Sequence, residues 1–385
     1  MSDNYCSQKF WFFAVNIERQ MTYSCCSATP EKIDKAWLKS NSGQFFNTPT
    51  LHHERNELLK GNRVPSCNGC WNAEDRGVVS RRLLKKSNER THTDINSTPS
   101  VINIIAGTDC NLTCSYCCKQ YSSAWADDLV KNGDYIIGNE NNYPMTYSMS
   151  TQDTVIYKLS QKEMLKLPSR ELIINEIGKL PSDLITISGG EPFLYLDLST
   201  LVNNLSSTKM IHIMTGLGVN SIRLAKELDK IKSVPNLEIV VSAENIGALY
   251  EFNRYGNSYE KFLNNLEIIK QSGIPFSFSL TLSNITLFGL AEFMNEFKEY
   301  KFKYNMCTDP EYLSVNVMDD VSKQAVLNSL QLTGNKDIDD VIDSISLPCT
   351  QTQKTELASF INEFARRRNL TLDIFPKTFI DWMNE

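Results

Sequence analysis

Asp109-Cys110-Asn111-Leu112-Thr113-Cys114-Ser115-Tyr116-Cys117 closely follows the apolar run Val101-Ile102-Asn103-Ile104-Ile105. A run of that length and composition reads as a buried strand. The three cysteines after it stand in C-x3-C-x2-C spacing. On one tight loop, thiolates so spaced can hold three irons of a [4Fe–4S] cluster and leave the fourth iron open to a chelating small molecule. Such a cluster is reactive rather than structural. A second apolar run, 184–188, ends on Gly189-Gly190-Glu191-Pro192. Glycines at a strand end let a ligand approach the backbone closely, and Glu191 offers a carboxylate to a cationic amine. Alone, this string is an ordinary turn; its place after a strand gives it weight.

Working outward, short apolar runs alternate with segments of helical period. The expected strands are 101–106, 184–188, 210–214, 237–242, 276–282 and 312–317; the expected helices are 170–179, 198–205, 221–231, 259–272 and 287–297. This alternation predicts an α/β fold: a parallel sheet covered by helices, curled into a partial (β/α)6 TIM-like barrel. In such folds function collects at the C-terminal ends of strands. The cysteine loop, the Gly-Gly-Glu-Pro string, Thr215-Gly216 and Ser242-Ala243-Glu244-Asn245 all fall there.

The chain has 385 residues, 41% hydrophobic and 22% charged, enough for a large domain plus a smaller one. A net charge of -6 gives no electrostatic footprint for nucleic acid. The basic run Arg81-Arg82-Leu83-Leu84-Lys85-Lys86 reads as a solvated helix face. No apolar run is long enough for a bilayer, and the N-terminus lacks the basic region of a secretion signal, so the expected compartment is the cytoplasm. There, 11 cysteines argue for metal rather than disulfides. Cys307 and Cys349 stand alone and read as small buried hydrophobes. His52 and His53 on a helix-like stretch, and His212 inside a strand, read as packing residues. Among the tyrosines able to give up a hydrogen atom, Tyr143, Tyr255 and Tyr312, none stands out.

On these residues the chain resembles the radical S-adenosylmethionine (SAM) enzymes. Asp109 to Cys117 is similar to that family's cluster loop, and Gly189, Gly190, Glu191 and Pro192 to the motif that holds the methionine amino group. The resemblance implies that Tyr116 flanks the adenine and that Ser242 and Glu244 contact the SAM ribose or carboxylate. It also implies a carboxylate contact from Arg254, twelve residues past Ser242. Relatives carry Ser-x-Asp-Gly where this chain has Ser242-Ala243-Glu244-Asn245. No catalytic residue is assigned beyond the cluster ligands. The implied activity is reductive cleavage of SAM to a 5′-deoxyadenosyl radical that takes hydrogen from a small molecule or short peptide. A flavodoxin- or ferredoxin-type protein is the implied reductant.

A second constellation precedes the barrel: Cys6, Cys25-Cys26 and Cys67-Asn68-Gly69-Cys70. It resembles the auxiliary-cluster modules of SPASM/twitch enzymes, in a subgroup whose twitch-like module is N-terminal, and Ser122-Ser123-Ala124-Trp125 is similar to that subgroup too. The implied ligands are Cys6, Cys25, Cys67 and Cys70, with Cys26 as the alternative to Cys25, giving two [4Fe–4S] clusters and SAM as cofactors. The expected organisation is a twitch-like module over 1–95, the barrel over 96–320 and a C-terminal helical cap over 321–385, its helix 355–368 anchored by Phe375, Pro376 and Trp382. The stretch 87–100 reads as a linker and 132–150 as a long loop. Two other readings stand beside this one: an RNA-modifying radical SAM enzyme, and a non-catalytic, zinc-binding, degenerate barrel.

Overall fold

The computed structural model describes residues 4–25, 28–75, 77, 80–84, 93–137, 169–195, 198–205, 209–335 and 339–385. Cys26, Tyr143, Lys85, Lys86, part of the 87–100 linker and most of the 132–150 loop lie outside them. The chain divides into two units. One comprises Met1–Gly107, Gln161–Ile213 and Asp229–Glu238, the other Thr108–Ser160, Met214–Leu228 and Ile239–Glu385.

In the first unit β-branched runs become the strands β4 (Val101–Ile105), β6 (Leu184–Ser188) and β7 (Ile211–Thr215), which pair in parallel. Ile102, Ile104, Ile185, Ile187, Ile211 and Ile213 are fully buried, the near-continuous apolar signature of a parallel sheet covered by helices. Helices Ser169–Gly178 and Leu198–Asn204 connect these strands in sequence. Unexpectedly, the N-terminal segment joins the same sheet. Its run Phe12-Phe13-Ala14-Val15-Asn16 forms β1, parallel to β4 in the register Phe12↔Val101, and β2 (Met21–Tyr23) and β3 (Glu31–Lys32) extend it antiparallel. This run is not among the expected strands, because its partner is remote and no local pattern reveals it.

In the second unit β8 (Leu237–Ser242), which begins in the first unit, pairs in parallel with β10 (Phe276–Leu282), and β10 with β11 (Phe302–Met306). The intervening helix Tyr259–Ser272 starts at the Ser258 hydroxyl and stops at Gly273, held at φ 73. A two-stranded ribbon pairs β5 (Thr113–Cys114) with β9 (Arg254–Tyr255). The helix Gln351–Arg368 opens on a Thr350–Gln353 capping box. Of its expected anchors, the Trp382 ring centroid lies 5.2 Å from Lys354 Nζ of that helix, whereas Phe375 packs against Phe252, Phe288 and Phe379.

The expected strand 312–317 is not one. Glu311–Leu313 is a 3-10 turn behind Pro310, and the Asn284 side chain donates to the Tyr312 and Val317 carbonyls at 2.9 and 3.0 Å, satisfying groups a ladder would need. The last strand is β11, Phe-Lys-Tyr-Asn-Met, whose alternating half-exposure escapes a search for continuous apolar runs. The basic run also differs from expectation: Arg82 is buried, because it closes a pair with Glu74 at 2.5 Å and donates to the Tyr5 carbonyl at 3.0 Å. Among the described residues no helix is long and apolar enough to cross a membrane.

Candidate functional site

Three groups of residues follow strand ends or cysteine pairs. In the second unit the loop Cys110 to Cys117 is built almost wholly by hydrogen bonds to backbone. The Cys117 N–H donates to the Cys114 carbonyl at 3.0 Å, the same carbonyl accepts from Trp125 Nε1 at 3.0 Å, and the Ser115 N–H donates to the Asn253 carbonyl at 2.9 Å. Ser123 brackets Cys110, accepting from its N–H at 3.1 Å and donating to its carbonyl at 3.0 Å. The helix Ser123–Asn132 supplies Ser123 and Trp125, and the helix Gly247–Asn253 supplies Asn253. The first of these starts at the Ser122 hydroxyl, and Trp125 is fully buried against Tyr135 and Phe364.

The Leu112 N–H lies 3.5 Å from Cys110 Sγ, the kind of donor that tunes a cluster thiolate. Burial pushes the Cys117 thiol well above its ordinary value, and the nearby sulfurs of Cys118, Cys114 and Cys110 add to that push. Thiols that raise one another in this way are relieved by a cationic core that takes them as thiolates. The donor set therefore fits an iron–sulfur cluster.

Next to this loop Glu244, just past β8, is fully buried and fully engaged. It accepts from Arg254 Nε and Nη2 at 3.1 and 2.7 Å, from the Tyr116 hydroxyl at 3.0 Å and from the Thr281 N–H at 2.9 Å. Arg254 lies 5.6 Å from the Tyr116 ring centroid. The expected residues Tyr116, Glu244 and Arg254 are thus brought together, with Glu244 holding the other two. Ser242 ends β8.

In the first unit Gly189 and Gly190 adopt φ of 86 and 55 after β6. A Cβ on Gly189 would lie 2.6 Å from Ile105 Cγ2 and 2.9 Å from the Gly107 carbonyl oxygen, so only glycine fits. Glu191 is buried and its carboxylate accepts from the Phe193 N–H at 3.3 Å, capping the 3-10 turn Pro192–Leu194.

The same unit gathers Cys6, Cys25, Cys67 and Cys70 around one pocket, together with Gln8, Lys9 and Arg82. Cys67 ends the 3-10 turn Pro65–Cys67 and Cys70 lies in the first turn of the helix Asn68–Asp75, so C-x2-C bridges a turn and a helix start. Trp71 packs with Cys67, Val64 and Leu58 and donates to the Val64 carbonyl at 2.9 Å. Burial pushes the Cys67 thiol up while the charge of Lys9 pulls it down. Among the described residues no three His, Cys, Asp or Glu side chains converge on a single metal ion.

Lys9, Glu54, Glu74 and Asn253 carry no signal in the sequence, since single charged or polar residues have no spacing; Arg82 stands there only within the basic run and Trp125 only within the string Ser122-Ser123-Ala124-Trp125. Of the remaining candidates, His212 faces Glu238 at 3.3 Å, Tyr312 is buried against Phe360 and Cys307 is buried, whereas His52 bonds Asn96 at 2.7 Å near the surface, and His53 and Tyr255 are exposed. Cys349, expected to be buried, is half-buried because it lies among exposed residues ahead of the helix Gln351–Arg368.

The radical SAM superfamily model matches residues 104–299, just over half of the chain. No curated protein matches it. Similar solved structures include native anSMEcpe with bound AdoMet, 16% identical with a TM-score of 0.35, over 60% of this chain and 59% of that one. Streptococcus suis SuiB bound to S-adenosylmethionine is 13% identical with a TM-score of 0.37, over 89% and 69%. Streptococcus suis SuiB bound to precursor peptide SuiA is 11% identical with a TM-score of 0.38, over 91% and 74%. The match thus spans less than two thirds of the anSMEcpe chain.

Proposed function

Because the chain belongs to the radical SAM superfamily, we propose that it is an enzyme that binds a [4Fe–4S] cluster through Cys110, Cys114 and Cys117 and cleaves SAM there. Held by Cys110, Cys114 and Cys117, the cluster would supply the electron for reductive cleavage of the S–C5′ bond of SAM and so the means of taking hydrogen from an unactivated C–H bond.

The chain's own residues bind, orient and shield. Trp125, Ser123 and Asn253 hold the backbone of the cysteine loop, leaving its sulfurs for iron. Gly189 and Gly190 let the methionine end of SAM approach the backbone, and Glu191 takes its ammonium group. Ser242 and Arg254 serve the ribose and carboxylate, Tyr116 flanks the adenine, and Glu244 acts through Arg254 and Tyr116 by fixing both.

Cys6, Cys25, Cys67 and Cys70 are assigned to a second [4Fe–4S] cluster. Four protein thiolates leave no open iron, so this site suits electron transfer rather than substrate chelation. Held by Cys6, Cys25, Cys67 and Cys70, such a cluster would serve to carry an electron away from the oxidised substrate. The assigned division is a twitch-like module of the SPASM/twitch type over 1–95, a partial (β/α)6 barrel over 96–320 and a helical cap over 321–385. A small molecule or short peptide is the substrate class, and a flavodoxin- or ferredoxin-type protein the reductant.

The observation that carries this reading is the three-cysteine loop within the matched family segment, with an N–H already directed at one of its sulfurs. Anaerobic purification tests it. About eight irons per chain, a broad absorption band and 5′-deoxyadenosine on reduction with SAM support it. A colourless protein loaded with zinc refutes it. Deuterated candidate substrates then locate the C–H bond by label transfer into 5′-deoxyadenosine.

A further inference from the structure

The pocket of the four N-terminal cysteines contains a charge that the proposed chemistry leaves unused. Lys9 is fully buried, and its ammonium group spends its three protons on the Glu54 carboxylate, on Ser24 Oγ at 2.9 Å and on Ser66 Oγ at 2.7 Å. Ser24 immediately precedes Cys25, and Ser66 immediately precedes Cys67. Lys9 itself lies three residues past Cys6, and its neighbour Gln8 accepts from the Cys25 thiol at 2.9 Å. Ser66 in turn donates to Glu54. One buried ion pair thus ties together the three segments that carry Cys6, Cys25 and Cys67.

A buried ammonium is costly unless it is paired, and here the pairing uses every proton on oxygen. The charge therefore acts on the sulfurs through space. Arg82, which also lines the pocket, is held in the same manner by Glu74, at 2.5 and 3.0 Å. Four thiolates around an iron–sulfur core carry net negative charge that grows on reduction, and a fixed cation nearby favours the reduced state. A fixed anion opposes it.

Resting on the assignment of a second cluster to Cys6, Cys25, Cys67 and Cys70, we propose that the Lys9–Glu54 pair sets the reduction potential of that cluster, Lys9 raising it and Glu54 lowering it. Both act as positioning and charge-setting residues rather than as ligands.

The full chain carrying Cys110→Ala, Cys114→Ala and Cys117→Ala is reconstituted anaerobically with ferrous iron and sulfide, so that only the N-terminal site takes up a cluster. Iron content and an EPR-monitored redox titration are then measured. About four irons per chain are expected in this parent. Lys9→Gln shifts the midpoint to more negative potential and Glu54→Gln to more positive potential. Ser24→Ala, which loosens one strap and leaves the charge in place, stays with the parent. If Lys9→Gln fails to retain iron, Glu54→Gln alone carries the test. Unchanged midpoints, or shifts of the same sign in the two charge variants, overturn the proposal. A parent without iron overturns the second-cluster assignment instead and leaves the SAM cluster untouched.

Discussion

Cys114 and Arg254 are register partners across the antiparallel ribbon β5–β9, and the guanidinium of Arg254 is closed in a buried pair with Glu244. The cysteine loop and the end of β8 are therefore mechanically one object within the second unit: ribbon, ion pair and the Tyr116 hydroxyl share the Glu244 carboxylate. Glu244→Ala leaves a buried arginine without its partner, a loss of about 3–5 kcal/mol. Urea denaturation of the apoprotein should show a midpoint well below that of the parent. An unchanged midpoint would mean that the pair is solvated and holds nothing.

Trp125→Phe keeps the ring that packs between Tyr135 and Phe364 but removes the N–H on the Cys114 carbonyl. The expected cost is about 1–3 kcal/mol for a buried acceptor that loses a donor. In addition, fewer irons per chain should remain after gel filtration, because the loop that presents the thiolates is less fixed. Full iron retention with unchanged stability would assign Trp125 to packing alone.

Gly189→Ala places a methyl where 2.6 Å separates it from Ile105 Cγ2, at a φ of 86 that L residues rarely adopt. Strain of about 1–3 kcal/mol follows. Isothermal titration of the reconstituted enzyme should show SAM affinity at least tenfold weaker, since the backbone meant to approach SAM is displaced. Parent-like affinity would remove the Gly-Gly-Glu-Pro string from the SAM site.

Among the described residues, three buried or half-buried carboxylates held down by hydrogen bonds contribute to acid stability. Burial pushes Glu74 and Glu176 up, but hydrogen bonds outweigh it and hold both below the ordinary range: Arg82 and Ser80 on the first, Lys179, the Gly43 N–H and Ser42 on the second. Hydrogen bonds from Arg366 and then Arg367 hold Glu363 down at about 2. A carboxyl depressed in the folded state binds protons more readily when unfolded. The stabilisation is therefore complete above the ordinary value of 4.5 and is lost as pH falls toward about 2. Urea midpoints should be level from pH 7 to about 5 and fall steeply below about 4.5. A level profile down to about pH 3 would show that these contacts do not persist in solution.

Three of the parallel strands, 184–188, 237–242 and 276–282, appear at the expected bounds because each is a short apolar run bounded by polar residues. The cysteine loop was legible because metal ligation demands a spacing. What escaped notice has no spacing. β1 finds its partner β4 about ninety residues away, and β11 alternates like any surface strand. For Glu244 the resemblance implies a ligand contact. That it spends its carboxylate on Arg254, Tyr116 and Thr281 depends on three remote segments meeting, which only the folded chain reveals. Lys9 is silent in the sequence, and Arg82 passes there for a solvated residue, for the same reason, their partners Glu54 and Glu74 being 45 and 8 residues away.

The most direct measurement is 5′-deoxyadenosine release from SAM by the anaerobically reconstituted, dithionite-reduced enzyme beside its Cys114→Ala variant. Release by the parent and none above background by the variant is the expected result. Equal release by both would show that SAM is not cleaved at an iron held by this loop.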